Sequence, residues 1–230
     1  MKILGIECSA SPVSVAISDN GKIISNDFSN TKVTHSQTLM PMVETVLKNS
    51  GLNLNDIDAF AVAAGPGSFT GIRIGISAVK GMAFPENKPC YPVSTLEGIA
   101  YLFKNYNGII CPVMDARCNQ VYNALFKVQN GTVKRLCDDR ALMCNDLANE
   151  IKDFKEQVFI CGDGTDVFSP FVSDMENVTI IQDNQKYQNA TGVVDVACNG
   201  NIYSCLPKDL LPVYLRLPQA ERELKQKKGL

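Results

Sequence analysis

Residues 63–75 read AAGPGSFTGIRIG, and the fold turns on what this glycine-rich stretch does. The apolar run IDAFAVAAG (57–65) leads into it, and the helix-patterned TGIRIGISAVKGMAF (70–84) follows. A buried strand, a loop and a helix in that order form the basic unit of an α/β protein. Glycine-rich loops in this position often hold phosphates. A Walker loop, however, needs GxxxxGK[ST], whose Lys reaches the phosphates and whose hydroxyl takes magnesium. Here Gly65 and Gly71 have five residues between them, and Ile72 stands where Lys is required. A dinucleotide fingerprint, GxGxxG in the first βαβ unit, also fits poorly. Gly65-Pro66-Gly67-Ser68-Phe69-Thr70-Gly71 is one residue too long and puts a bulky Phe where backbone should meet pyrophosphate.

A third reading starts from the helix itself. Gly71, Gly75 and Ala78 recur at i, i+4 and i+7, so one face carries almost no side chain. A helical glycine costs about 1 kcal/mol relative to alanine, so something must pack close to that backbone: an internal strand or a second molecule. Gly67 suits a tight turn, Pro66 stiffens it, and Ser68 or Thr70 can cap the helix.

Outward from this unit, KILGIECS, VSVAISD and KIISNDFS are short strand-like runs, and Asn20-Gly21 is a hairpin signal between the last two. SQTLMPMVETVLKNSG (36–51) repeats Leu39, Met42, Val43, Val46 and Leu47 at helical spacing and stops at Gly51. Pro41 is tolerable there only if the helix begins close before it. The order is β-β-β-α-β-α. The second half runs similarly: CYPVS, helix TLEGIAYLFKNY, strands GIICPVMDA, QVYNALFKVQNG and TVKRLCDD, helix CNDLANEIKDF, strand QVFICGDG, helix DVFSPFVSDM, strand VTIIQD and helix TGVVDVACNG. This predicts a duplicated α/β architecture with an N-terminal lobe at 1–106 and a smaller C-terminal lobe at 107–230, its last helix packing back on the first.

Composition narrows the function. The 230 residues carry a formal net charge of −2 and no dense Lys/Arg cluster; the tail PQAERELKQKKGL dilutes its bases with Glu221 and Glu223. Independent nucleic-acid binding needs several phosphates neutralised on one face, so RNA is expected only through a partner. The 9 cysteines lie mostly in apolar runs, without the CxxC spacing of zinc sites, and read as reduced structural thiols. One histidine, His35, excludes a His-pair metal site from this chain alone. No stretch approaches a bilayer span.

The ordered segments GIECSAS, HSQTLMPMV, AAGPGSFTGIRIG, VSTLEG, MDARCNQVY and PVYLR resemble the TsaB (YeaZ) family over nearly the whole chain. The resemblance implies the actin/sugar-kinase/heat-shock-chaperone ATPase fold, an α/β class with two βββαβα lobes, the second reduced. It implies a cytoplasmic, non-catalytic scaffold for threonylcarbamoyl transfer to N6 of adenosine 37 in tRNAs reading codons that begin with A. Its partners would be the catalytic subunit TsaD and the ATPase TsaE, with a homodimer when alone, and ATP and metal would belong to those partners. Helices 36–51 and 70–84 would be the interface, through His35, Leu39, Met42, Val43, Val46, Gly71, Arg73, Gly75, Ala78 and Met82. The catalytic relative has VHHxEGH where this chain has VSTLEGI, so Thr95 and Ile99 replace the metal-binding imidazoles. Glu7 reads as a solvated acid ending a strand, with a magnesium-side carboxylate as the alternative, and Asp115 with Arg117 as a local ion pair. A stand-alone ATP-dependent or peptidase-like enzyme of the same fold is the competing function.

Overall fold

The structure is a computed structural model that describes residues 1–31 and 33–216. The basic tail and the expected last helix lie outside the described residues. The chain opens with strands β1 (Lys2–Glu7), β2 (Val13–Asp19) and β3 (Lys22–Ser29), helix α1 (His35–Ser50), strand β4 (Ala59–Gly65), helix α2 (Phe69–Ala83), strand β5 (Cys90–Ser94) and helix α3 (Thr95–Leu102). Asn20 and Gly21 both take positive φ, 50° and 81°, and close the predicted hairpin. The sheet order is β3-β2-β1-β4-β5, antiparallel through β1 and parallel from β1 to β5.

The β4 sequence AFAVAAG explains how this sheet is covered. Phe60, Val62 and Ala64 point into the core beneath α1 and α2, together with Leu4, Ile6, Leu39, Val43 and Val46. Ala59, Ala61 and Ala63 point to the other face. There helix α6 (Ala190–Asn199) lies close, because alanines keep the surface low and Gly5 leaves its space to Val194. Helices α3 and α6 cross at Gly98 and Gly192, where an added Cβ on Gly192 would sit 2.1 Å from the Gly98 carbonyl oxygen.

The second sheet contains β6 (Gly108–Asp115), β7 (Gln120–Asn123), β8 (Phe126–Gln129), β9 (Thr132–Arg135), β10 (Arg140–Met143), β11 (Val158–Cys161) and β12 (Val178–Ile180). Its order is β10-β7-β6-β11-β12, with β8 pairing β6 and β9. Helix α3 shares a core with its inner face, through Leu96, Ile99, Ile110 and Phe126. Helices α4 (Cys144–Ile151) and α5 (Thr165–Phe168) cover the outer face. The layers therefore run α1/α2, sheet, α3/α6, sheet, α4/α5. A helix from the chain's last described fifth thus shields the first sheet.

Four expectations are corrected. The run 120–131 is two strands, broken where the buried Asn123 amide donates to the carbonyls of Pro112 and Ala124 at 3.2 and 3.0 Å. Strand β10 pairs with β7 although it was not anticipated. The stretch 166–175 is helical for one turn only, then passes into a 3-10 turn at Ser169-Pro170-Phe171. Pro41 lies inside α1 rather than at its first turn. Both Pro41 and Gln37 are exposed, so a carbonyl deprived of its helical donor can meet water.

Candidate functional site

The glycine loop is occupied by the protein's own backbone. A Cβ on Gly71 would stand 2.0 Å from the Cys8 carbonyl oxygen, and one on Gly67, whose φ is +153°, 2.4 Å from that of Ser9. The Ser68 N–H donates to Ser9 O at 2.6 Å, and the Val213 N–H to Ala64 O at 2.7 Å. Gly65 is likewise closed off, since its Cβ would meet Val213 O at 2.2 Å. Pro66 is buried beside it. The loop thus receives the β1–β2 turn on one side and the C-terminal segment on the other. Ser68 is the helix cap, its Oγ accepting from Gly71 N at 3.2 Å; Thr70 is exposed and does not cap.

This overturns the reading of Gly71 and Gly75 as partner surface; of that bare face only Ala78 borders the outward groove. Gly75 packs against Val62 and Ile6 of its own sheet, with a built Cβ 3.2 and 3.5 Å from their methyls. Leu39, Met42, Val43 and Val46 are equally internal. A helical repeat identifies an apolar face but not whether that face looks inward, and the sheet claims it here.

What α1 and α2 do present outward is a groove of about 470 Å³. Leu39 and Ala78 form its floor; Ser36, Met40, Thr70, Arg73, Ile74 and Ser77 line it. Met40 is 43% exposed, a large apolar side chain in water. Ser36, Ile74 and Ser77 went unnoticed in the sequence, although 70, 74 and 77 follow one another at helical spacing beside the glycine face. Arg73 reaches from the groove to Tyr214, donating Nε–H to its hydroxyl at 2.7 Å, and Phe69 stacks on the same ring at 4.4 Å. Met82 is half-buried against the first core. His35, the first residue of α1, has Nε2 at 2.6 Å from Ala10 O. A carbonyl only accepts, so Nε2 carries the proton, and the ring anchors the helix start to the β1–β2 turn.

Between the two lobes lies a cleft of about 790 Å³, lined by Ser9, Ser11, Asn30, His35, Asp115, Arg117, Asp163, Asp166 and Tyr187 among others. Asp115 and Arg117 form the expected local ion pair at 3.1 Å, with Arg117 83% exposed. Lys186 holds Asp166 at 2.7 Å. Beneath the cleft is Glu7, and here the expectation of a solvated acid is wrong. It is only 1% exposed, and burial pushes its carboxyl up from 4.5 to about 7, although the Ser9 N–H donates to it at 2.6 Å. The like charge of Asp163 adds to the rise. Asp163, which sequence reasoning missed in CGDG after β11, is itself raised to about 6, chiefly by burial. Among the described residues no three acids, cysteines or histidines are grouped to hold a metal. Thr95 and Ile99 are fully buried at the start of α3, Ile99 within the second-lobe core.

The family model described as TsaD, tRNA N6-adenosine threonylcarbamoyltransferase, matches residues 22–222. The tRNA threonylcarbamoyladenosine biosynthesis protein TsaB of Bacillus subtilis (strain 168) is 29% identical over 226 residues, 96% of each chain. The solved YeaZ from Pseudomonas aeruginosa superposes with a TM-score of 0.77 at 26% identity, over 93% of this chain and 99% of that one. The chain belongs to the TsaB (YeaZ) family. At lower identity, ethanolamine utilization protein EutJ from Carboxydothermus hydrogenoformans shares the fold alone, with a TM-score of 0.51 at 11% identity over 85% of this chain and 89% of that one. The fold is that of the actin/sugar-kinase/heat-shock-chaperone ATPase class, as the TsaB-like segments implied. No helix among the described residues is long and apolar enough to cross a membrane.

Proposed function

We propose that this TsaB-family chain is a non-catalytic subunit of the cytoplasmic assembly that transfers a threonylcarbamoyl group to N6 of adenosine 37 in tRNAs reading codons that begin with A. It pairs with a TsaD-like catalytic subunit through the α1–α2 groove, a TsaE-like ATPase joins them, and ATP and metal belong to those partners. The observation that carries this reading is the fate of Thr95 and Ile99. Both side chains are sealed in the interior, so the positions resembling the metal pair of the catalytic relative carry no imidazole and do not line the cleft. The groove supports the pairing: its floor is apolar, its rim is polar, and Met40 stands exposed on it. Alone, the same surface pairs with a second copy, because exposed apolar patches rarely stay in water. The net charge of −2 agrees with tRNA reached only through the complex.

The test is co-purification with a TsaD homologue and reconstituted tRNA modification, comparing wild type with Met40→Glu and Ser77→Arg. Both positions are exposed, so the variants fold. Each is expected to weaken capture of the catalytic subunit at least tenfold and to reduce modification with it. Full capture by both variants would refute the groove as the contact. Turnover by the chain alone would refute the subunit reading and favour a stand-alone enzyme.

A further inference from the structure

Cys90 and Cys205 stand directly opposite one another. Cys90, on the edge strand β5, donates its N–H to Cys205 O at 2.9 Å, and Cys205 returns the bond to Cys90 O at 2.8 Å. The two residues form an isolated antiparallel bridge. In such a hydrogen-bonded pair the α-carbons are about 5.5 Å apart, with both side chains on the same face. That lies inside the span of roughly 4.4–6.8 Å that a disulfide accepts. Both thiols are free in the structure; Cys90 is buried, and Cys205 is half-buried and reachable.

The bridge is where the C-terminal segment joins the first sheet. Beyond it, Leu210 enters the first core, Val213 bonds to β4, and Tyr214 stacks on Phe69 and accepts from Arg73. The segment therefore braces both the glycine loop and one wall of the α1–α2 groove.

We propose that Cys90 and Cys205 are a reversible redox staple whose disulfide locks the C-terminal segment onto the edge of the first sheet. The oxidant is a small-molecule disulfide of the glutathione type. The Cys205 thiolate attacks one of its sulfurs, forming a mixed disulfide and expelling one thiolate. The Cys90 thiolate then attacks the Cys205 sulfur, closing the intramolecular bond and expelling the second. The protein gives up two protons and two electrons, and the small disulfide is reduced to two thiols. Burial pushes the Cys90 thiol up to about 12, so the closing step gains from alkaline conditions. Cys205, being half-buried, keeps one sulfur of the bond within reach of an attacking thiol, which is what reversal requires.

The experiment uses the full chain carrying Cys118→Ser, which removes the exposed thiol that would otherwise take up glutathione on its own. The protein is incubated with oxidised glutathione at mildly alkaline pH and compared with the same chain carrying Cys205→Ser. Expected are a mass lower by two hydrogens, loss of two titratable thiols, and linked peptides containing Cys90 and Cys205. The thermal midpoint should rise by roughly 5–15 °C. A reductant should reverse all of these changes, and Cys205→Ser should show none of them. Glutathione adducts without an internal bond, linkage of another pair, or equal loss of two thiols in Cys205→Ser would each overturn the proposal.

Discussion

Glu7→Gln separates a buried neutral carboxyl from a charged one. The native side chain is 1% exposed and titrates at about 7 instead of 4.5, because burial disfavours its charged form more than the Ser9 hydrogen bonds favour it. A group that binds its proton more tightly when folded adds stability below its unfolded value, and that stability is lost as pH climbs through the folded value. Wild type should therefore weaken between about pH 4.5 and 7. At about 1.36 kcal/mol for each tenfold change in proton affinity, the cost of holding Glu7 charged at pH 8 is roughly 3 kcal/mol. Glutamine is isosteric with the protonated acid and keeps an Oε1 to accept from the Ser9 N–H. The variant should match wild type at pH 5 and exceed it at pH 8 by about 3 kcal/mol, or roughly 6–12 °C in midpoint. The assay is urea unfolding of both proteins at the two pH values. Equal destabilisation of Glu7→Gln at pH 5 and pH 8 would refute the reasoning, for it would mean that the native carboxylate is charged and favourably liganded.

The glycines of α2 offer a paired contrast. Gly71→Ala forces a Cβ onto the Cys8 carbonyl and should cost several kcal/mol, whereas Gly81→Ala meets nothing within 4 Å and should stabilise by about 0.5–1 kcal/mol; thermal melts of the two variants check both signs. Arg135 bonds Glu97 at 2.7 Å and Asp139 at 2.6 Å while lying over the Phe126 ring, so Arg135→Met strands two half-buried carboxylates. It should lower stability by about 2–4 kcal/mol, and denaturant unfolding that shows less than half of this would place the network among the weak surface pairs.

Much of the fold was legible along the chain because its causes are local. Asn20-Gly21 turns a hairpin by its own backbone preference, AFAVAAG alternates large and small side chains as a sheet covered on both faces requires, and Ser68 caps α2 three residues from the N–H it accepts. The run from 120 to 131 was not legible: its strand break depends on Asn123 bonding to carbonyls that include one on another strand. The candidate site divides along the same line. GPGSFTG announced a close approach, and Cys8, Ser9 and Val213 supply it, but the sequence could not say that the neighbour was the chain itself. Leu39, Met42, Val43, Val46 and Gly75 form apolar or bare helical faces in either case; only the sheet lying beneath them makes those faces internal and leaves Met40, Ile74 and Ser77 outside. Glu7 shows the limit most plainly. A strand-end acid is solvated unless the folded chain covers it, and here Glu7 is buried, with Asp163 brought to bear from more than 150 residues away. Patterns within one turn or one strand report a residue's immediate neighbours, whereas burial, and the proton affinity that follows from it, is set by segments that meet only when the layers close.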